Sequence, residues 1–194
     1  MENKFINEFN IKERFKYFSF FIFLIPLFMS SQSETQRFDL IKTFEGVEIR
    51  YYPPSTMIKY VSDNNSGFGY LFNYISGKNS LNQKISMTTP VHMQKLSNNK
   101  SSMEFVLPSK IKIDSAPQPE NNDLELYLSE GQYYGVIKYS GYTSFEKEKK
   151  FTEELKQKLI NNNIKVTGGS KVLVYNSPYK FFNRKNEIIL PIIY

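Results

Sequence analysis

The stretch VEIRYYPPSTMIKYVS, residues 47–62, decides the fold class that the sequence predicts. Its two halves alternate in hydropathy as half-buried β-strands do, and Pro53-Pro54 separates them as a turn. Two further strands are predicted at KISMTTPVHMQ, residues 84–94, and SMEFVLP, residues 102–108. Between the two pairs of strands, apolar residues recur at i, i+3, i+4 and i+7, which predicts a short helix ended by Gly77. These apolar residues are Phe68, Leu71, Phe72 and Ile75.

The same order of elements returns after a Pro- and Asp-rich linker at residues 113–123. Strands are predicted at residues 124–130, 133–141, 170–178 and 186–194, and a helix at residues 143–163 has Ser144 or Thr143 as its N-cap. The apolar face of that helix is predicted to contain Phe145, Phe151, Leu155 and Leu159. MIKYVS resembles VIKYSG, and FVLP resembles IILP, at offsets of 79 to 83 residues.

These patterns predict an α+β domain. Two pseudo-symmetric ββαββ repeats, at about residues 45–110 and 122–194, are expected to join into a distorted antiparallel β-barrel with two helices.

The N-terminal 33 residues have the organisation of a secretory signal peptide. Lys12, Arg14 and Lys16 precede an apolar run at residues 17–29, and Ser31-Gln32-Ser33 is a small-x-small cleavage site. The run is short for a membrane span. An uncleaved signal anchor and a buried helix are the alternatives. We therefore expect a single folded domain at residues 34–194 that is periplasmic or secreted, with no membrane span in the mature chain.

The composition excludes several classes of site. The chain of 194 residues has no Cys, which excludes disulfides, thiolate chemistry, iron–sulfur clusters and covalent haem attachment. Residues 1–33 contain four basic and three acidic residues, so the remainder has a net charge of +5. Its Lys residues are scattered, which argues against a nucleic-acid partner. No nucleophile motif or isolated pair of carboxylates is seen, so we expect no enzyme activity.

Several motifs resemble, in order, those of the SOUL haem-binding protein family. They include FEGVEIRYYPP, KISMTTPV, MEFVLPSK and YNSPYKFFNRKNEIILPI, and they extend over about residues 38–194. The resemblance implies a barrel of two pseudo-symmetric halves and non-covalent, reversible binding of haem or a related tetrapyrrole in an apolar groove. Effector-binding domains of similar architecture accept other hydrophobic molecules, so the fold alone does not identify the ligand.

The resemblance also implies which residues bind the ligand, because haem in the family lies beside the first helix. Phe68, Tyr70, Leu71 and Tyr74 are expected to line the groove, with the tyrosine rings stacking on a porphyrin. The alternative is a helix buried by loops. Lys180 and Arg184 match basic positions of the family's terminal loop and are the expected contacts of the propionates. The alternatives are a solvated loop, or an Arg184–Glu187 pair that braces it.

His92, the only histidine of the chain, is the candidate axial ligand of a haem iron. The alternative is a structural residue at the surface of a strand, and no partner that would orient the imidazole is visible in the sequence. Pro90 is expected to interrupt the strand, and Met87 is expected to pack in the core.

The function predicted from these observations is extracytoplasmic, non-covalent binding of haem for carriage, buffering or sequestration. The alternative is an interaction or structural protein that binds a different hydrophobic molecule or no tetrapyrrole. The sequence does not indicate the oligomeric state.

Overall fold

The computed structural model describes residues 33–63, 67–96 and 100–194. Of the predicted signal peptide only Ser33 is described, so the cleavage and the anchor alternative remain predictions. Ser33–Tyr194 forms one compact unit. Within the described ranges, no helix has both the length and the apolar content needed to cross a bilayer.

The elements of the first half begin with three strands that follow one another closely. Their bounds are β1 Glu34–Thr35, β2 Asp39–Phe44, β3 Val47–Tyr52, β4 Thr56–Ser62, α1 Phe68–Ile75, β5 Thr88–Thr89, β6 Val91–Lys95 and β7 Ser101–Val106. The prediction is confirmed for β3, β4 and α1. Pro90 interrupts the strand predicted at residues 84–94, as expected, and leaves β5 and β6 on either side of it.

The second half contains the longer helix and two nine-residue strands. Its bounds are β8 Leu124–Leu128, β9 Gln132–Ser140, α2 Phe145–Asn161, β10 Lys165–Val166, β11 Lys171–Val174 and β12 Lys185–Ile193. The Ser144 side chain accepts a hydrogen bond from the Lys147 amide and caps α2, as predicted. The linker contains a short 3-10 helix at Ile113–Ser115.

Nine antiparallel strands form one continuous sheet in the order β2-β3-β9-β12-β11-β6-β7-β4-β8, and β10 pairs with β12. The outer strands β2 and β8 do not pair with each other, so the sheet is open and the predicted barrel is wrong. With β2 left out, exchanging β3, β4, β6 and β7 for β8, β9, β11 and β12 gives the same order read from the opposite edge. Strand order alone does not establish that the halves share one structure, so the repeat remains a prediction.

One face of the sheet is apolar and carries both helices. Residues that are paired across strands lie on the same face, so the register defines an uninterrupted apolar row from β3 to β8. The row is Val47, Ile137, Ile188, Val172, Met93, Met103, Tyr60 and Leu124. Helix α2 packs Leu155 and Leu159 on the half that contains β9 and β12, and α1 packs on β4 and β7.

The opposite face carries charged residues in the neighbouring row. We call this set the polar row: Lys138, Glu187, Leu173, His92, Glu104, Lys59 and Glu125. Side chains alternate between faces with a period of two. A shift of the register by one residue would therefore exchange the two rows and bury charges beneath the helices. The pairing of the strands is therefore determined strongly by hydropathy.

Candidate functional site

Helix α1 buries one side and exposes aromatic rings on the other. Leu71, Tyr74 and Ile75 are buried against the sheet. Phe68, Tyr70 and Phe72 are each close to half exposed. The helix carries no charged residue, and Gly77, at φ 116°, ends it in a conformation that favours glycine.

The buried positions of Leu71 and Tyr74 do not fit the predicted lining of a ligand groove. The Tyr74 hydroxyl donates a hydrogen bond of 2.8 Å to the Pro117 carbonyl, and burial raises the pKa of Tyr74 to about 12. Leu71 has no exposed surface. Both side chains are therefore structural parts of the core between α1 and the sheet. The alternative of burial by loops holds in part, because Pro117 belongs to the linker.

The exposed rings of α1 are stacked on other aromatic rings of the protein. Phe68 stacks on Phe72 at 5.8 Å between centroids and meets Phe105 edge-on at 5.4 Å. Tyr70 stacks on Tyr60 at 4.7 Å. The cavity beside Tyr60 is only about 10 Å³. A ligand at this point would therefore lie on the outer surface of the rings.

His92 is buried and already has a hydrogen-bond partner. Its Nε2 lies 2.8 Å from Oε1 of Gln36, a residue of the segment between β1 and β2 that is itself buried. Burial, with the nearby cation of Lys171, lowers the pKa of His92 to about 3, so the imidazole is neutral. The alternative placed His92 at the surface of a strand. It is wrong because the segment N-terminal to β2 covers the imidazole ring.

The surroundings of His92 argue against the predicted axial role. Glu104, its cross-strand neighbour, is buried and accepts a hydrogen bond of 2.9 Å from Lys171 Nζ. A haem iron would have to displace Gln36 from Nε2 and enter the polar row. Within the described residues no three His, Asp or Glu side chains are grouped so as to hold a metal ion.

Arg184 braces the terminal loop, but not through the partner that the alternative named. Its Nη1 donates hydrogen bonds of 2.7 and 2.8 Å to the carbonyls of Ser177 and Lys180, and its guanidinium lies 4.3 Å from the centroid of the Tyr142 ring. The side chain is buried, so it is not available to a propionate in this conformation. Lys180 is exposed at the loop, which leaves its predicted role open.

Glu187, which the alternative named as the partner of Arg184, is instead paired with Arg50. Arg50 donates to both Glu187 oxygens, at 2.9 and 3.1 Å, and both side chains are buried. Burial alone would raise the pKa of Glu187, but the hydrogen bonds and charge of Arg50 lower it. Phe38 covers the pair, with its ring centroid 4.0 Å from the Arg50 guanidinium. This pair joins β3 and β12 across 137 residues, so no local pattern of residues could have predicted it.

A larger groove lies on the helix-bearing face between β6 and the first turns of α2. It has a volume of about 340 Å³, within the common range for small-molecule sites. We call it the β6–α2 groove, and its defining residues are Met93, Lys95, Phe145, Lys149 and Val172. Glu148 and Glu153 also line it, so its charge is balanced.

This groove was not predicted, because the helical period placed Phe145 on the buried face of α2. The side chain is 59% exposed, since it lies in the first turn of the helix where the sheet no longer covers it. Lys95 Nζ lies 4.2 Å from the centroid of the Phe145 ring and 3.9 Å from Glu148 Oε2, a long ion pair between an exposed lysine and a partly buried glutamate. One feature of the sequence could have indicated this groove. Met93 precedes the cation Lys95 by two residues on a strand, so both residues lie on the same face.

A second cavity of about 470 Å³ lies on the other side of the molecule, beside β1. Pro53, Leu107 and Leu128 contribute apolar walls, and Arg37 and Lys112 contribute cations. Glu34 and Asp114 also line it, so its charge is balanced.

The sequence matches the SOUL heme-binding protein family over residues 33–191. The chain belongs to this family. It is 28% identical over 162 residues to heme-binding protein 2 of Homo sapiens, with 74% of this chain and 76% of that protein covered. The SOUL family is described by its haem binding, which supports haem as the class of ligand but does not show it in this chain.

Solved structures with the same fold have little sequence in common with this SOUL protein. The C-terminal domain of EcmrR has a TM-score of 0.54 at 11% identity and covers 76% of this chain and 96% of its own. A hydrolase from Listeria innocua has a TM-score of 0.53 at 12% identity, covering 76% and 91%. At these identities the likeness concerns the fold alone, so the expectation of no enzyme activity remains a prediction.

Proposed function

We propose that this SOUL protein binds haem non-covalently in the β6–α2 groove. The observation that carries the proposal is the combination, in one open groove of about 340 Å³, of an apolar floor and an exposed aromatic ring with two lysines, beside which Glu148 and Glu153 also line the groove. A haem needs both, because its macrocycle is flat and apolar while its two propionates are anionic.

The residues of the groove fit these requirements. Val172 and Met93 belong to the apolar row and form the floor, and Phe145 offers an exposed ring for stacking. Lys95 and Lys149 are exposed and are the groups that would hold the propionates. The 3.9 Å separation of Lys95 from Glu148 describes a weak contact, which a propionate can replace at little cost.

Haem iron bound in the groove would supply a Lewis-acid centre, and Met93 is the side chain of the floor that can offer it a ligand, through the thioether. His92 lies on the opposite face of the sheet, because residues that follow one another in a strand alternate between faces. We therefore assign no iron ligand to His92.

A haemin titration followed by absorbance in the Soret region tests this proposal. We expect Lys95→Gln/Lys149→Gln to weaken haemin binding about five-fold, as expected for two exposed charge contacts. The matched control Lys156→Gln/Lys165→Gln removes the same charge elsewhere and should leave affinity unchanged. Met93→Leu should change the spectrum of the complex more than the affinity, and His92→Gln should change neither. A spectrum of free haemin at excess protein would refute haem binding.

The exposed rings of α1 offer a second surface for the same ligand. Phe68, Tyr70 and Phe72 are accessible, and two of them were predicted to contact haem. Phe68→Ser/Phe72→Ser distinguishes the two surfaces. If this variant loses haemin while the lysine variant of the groove binds normally, the site lies on α1 and the assignment to the groove is wrong.

The alternative function is binding of a different hydrophobic molecule, favoured by the 470 Å³ cavity near Arg37 and Lys112. The test is to saturate the protein with haemin and then add an apolar fluorescent probe. Uptake of the probe that is lost in Leu107→Trp would support a separate site in this cavity.

Carriage or buffering of haem outside the cytoplasm rests on the predicted signal peptide. Mass spectrometry of the exported chain, with a new N-terminus near Ser33, tests it.

A further inference from the structure

The loop between β11 and β12 exposes three large aromatic side chains. Tyr179 is 85% exposed, Phe181 is 71% exposed and Phe182 is 82% exposed. We call residues 177–183 the aromatic loop. Large apolar groups side by side in solvent are unfavourable, so such a group commonly marks an interaction site.

The aromatic loop has an internal framework that keeps its rings outside the core. The buried guanidinium of Arg184 donates hydrogen bonds to the carbonyls of Ser177 and Lys180 from beneath the loop. The Tyr142 hydroxyl donates to the Pro178 carbonyl at 3.1 Å, and the Lys180 amide donates to Ser177 at 3.1 Å. Because these bonds are made by the main chain of the loop, its rings remain free to contact a partner.

The exposed charge next to the aromatic rings is positive. Of the four basic residues at 168–186, Lys171 is paired with Glu104, Lys185 is paired with Glu187 and Arg184 is buried, which leaves Lys180. Lys180 lies between the aromatic residues and is exposed, and no ion pair of its side chain is seen in the described part of the chain. Lys147, whose Nζ binds the carbonyl of Tyr142 at 3.1 Å, adds a cation beside the loop, since Tyr142 contacts Pro178.

From these observations we infer that the aromatic loop docks on anionic lipid bilayers. Aromatic rings favour the interface between headgroups and acyl chains, and lysines beside them are attracted to anionic headgroups. A protein partner would need an acidic and apolar groove, whereas a bilayer offers both features to a protruding loop. This inference goes beyond haem binding and does not depend on it, and it concerns peripheral contact, not a membrane span.

The absence of Trp from the sequence permits a direct test on the full chain. Phe182→Trp places the only Trp of the chain in the aromatic loop. Its emission therefore reports insertion of this loop, independently of any binding of residues 1–32 to the vesicles. Leu81→Trp is the matched control, because Leu81 is also strongly exposed (63%) but lies in the segment after α1. Vesicles of phosphatidylcholine alone are compared with vesicles that contain 30% phosphatidylglycerol.

We expect anionic vesicles to shift the emission of Phe182→Trp to the blue and bromolipids to quench it, with no change for Leu81→Trp. Adding Lys180→Gln should weaken the partition of Phe182→Trp about five-fold, and Phe181→Ser about ten-fold. No shift at position 182, an equal shift at position 81, or an equal shift with neutral vesicles would each refute the inference. A blue shift that grows with protein concentration without lipid would indicate self-association and also refute it.

Discussion

His92 should make the protein less stable below neutral pH, and substitution by Gln should remove this effect. The folded pKa of His92 is about 3, while the ordinary value is 6.5. Between these values the unfolded chain binds a proton that the folded chain does not, so the free energy of unfolding falls as the pH falls. The stabilising effect of the neutral imidazole is complete above pH 6.5 and is lost progressively below it.

The expected loss in the free energy of unfolding depends only on the pKa of His92 in the unfolded chain, as long as its pKa in the folded protein is well below the pH. Each pH unit below 6.5 costs about 1.4 kcal/mol, so the loss between pH 7.5 and pH 5 is about 2 kcal/mol. The other described groups with shifted pKa titrate outside this window. The tyrosine values are raised above 10, and the pKa values of Glu48, Glu146 and Glu187 are lowered below 4.5.

Urea unfolding followed by circular dichroism at pH 7.5, 6.5, 5.5 and 5.0, at constant ionic strength, measures this loss. In His92→Gln the amide can keep a hydrogen bond to Gln36 but does not titrate. We expect the wild-type protein to lose about 2 kcal/mol and the variant to remain within about 0.5 kcal/mol across the same range. Equal losses in both proteins, or a wild-type protein as stable at pH 5 as at pH 7.5, would show that His92 is not buried in its neutral form.

The remaining predictions concern the core and are measured by urea unfolding at pH 7.5. Tyr74→Phe should cost about 1–2 kcal/mol, because it leaves a buried carbonyl without its donor; an unchanged stability would place the hydroxyl in solvent. Gly135→Ala should cost about 1–3 kcal/mol, because the new Cβ lies 2.7 Å from a Leu159 methyl, whereas Gly69→Ala, with open space around it, should stabilise by about 0.5–1 kcal/mol. Arg50→Met should cost about 3–5 kcal/mol, because a carboxylate with no exposed surface loses its bidentate partner. A loss under 1 kcal/mol would mean that Lys185 and Tyr175, at 3.2 and 2.7 Å from the Glu187 carboxylate, are sufficient to stabilise it without Arg50.

Local patterns in the sequence did not predict the partners of the buried polar residues or the contacts of the loops. The alternative to a propionate contact paired Arg184 with the nearby Glu187, but Glu187 lies on the polar row within reach of Arg50. Proximity along the chain is a poor guide to ion pairs in a sheet, because neighbours in a strand alternate in direction and partners come from other strands. Likewise, Phe145 was predicted on the buried face of its helix but is exposed, whereas Tyr74 was predicted to line a groove but is buried.

The sequence by itself determined the secondary structure of most of the domain, the N-cap of the second helix and membership of the family. These follow from periods of two and 3.6 residues and from short motifs, which are local properties. The tertiary structure alone decided that the sheet stays open, that the N-terminal strand segment covers His92, and that Arg50 pairs with Glu187. The physical reason is that hydropathy tells which face of a strand is buried, but the partner of a buried charge or ring depends on strands that are distant in sequence.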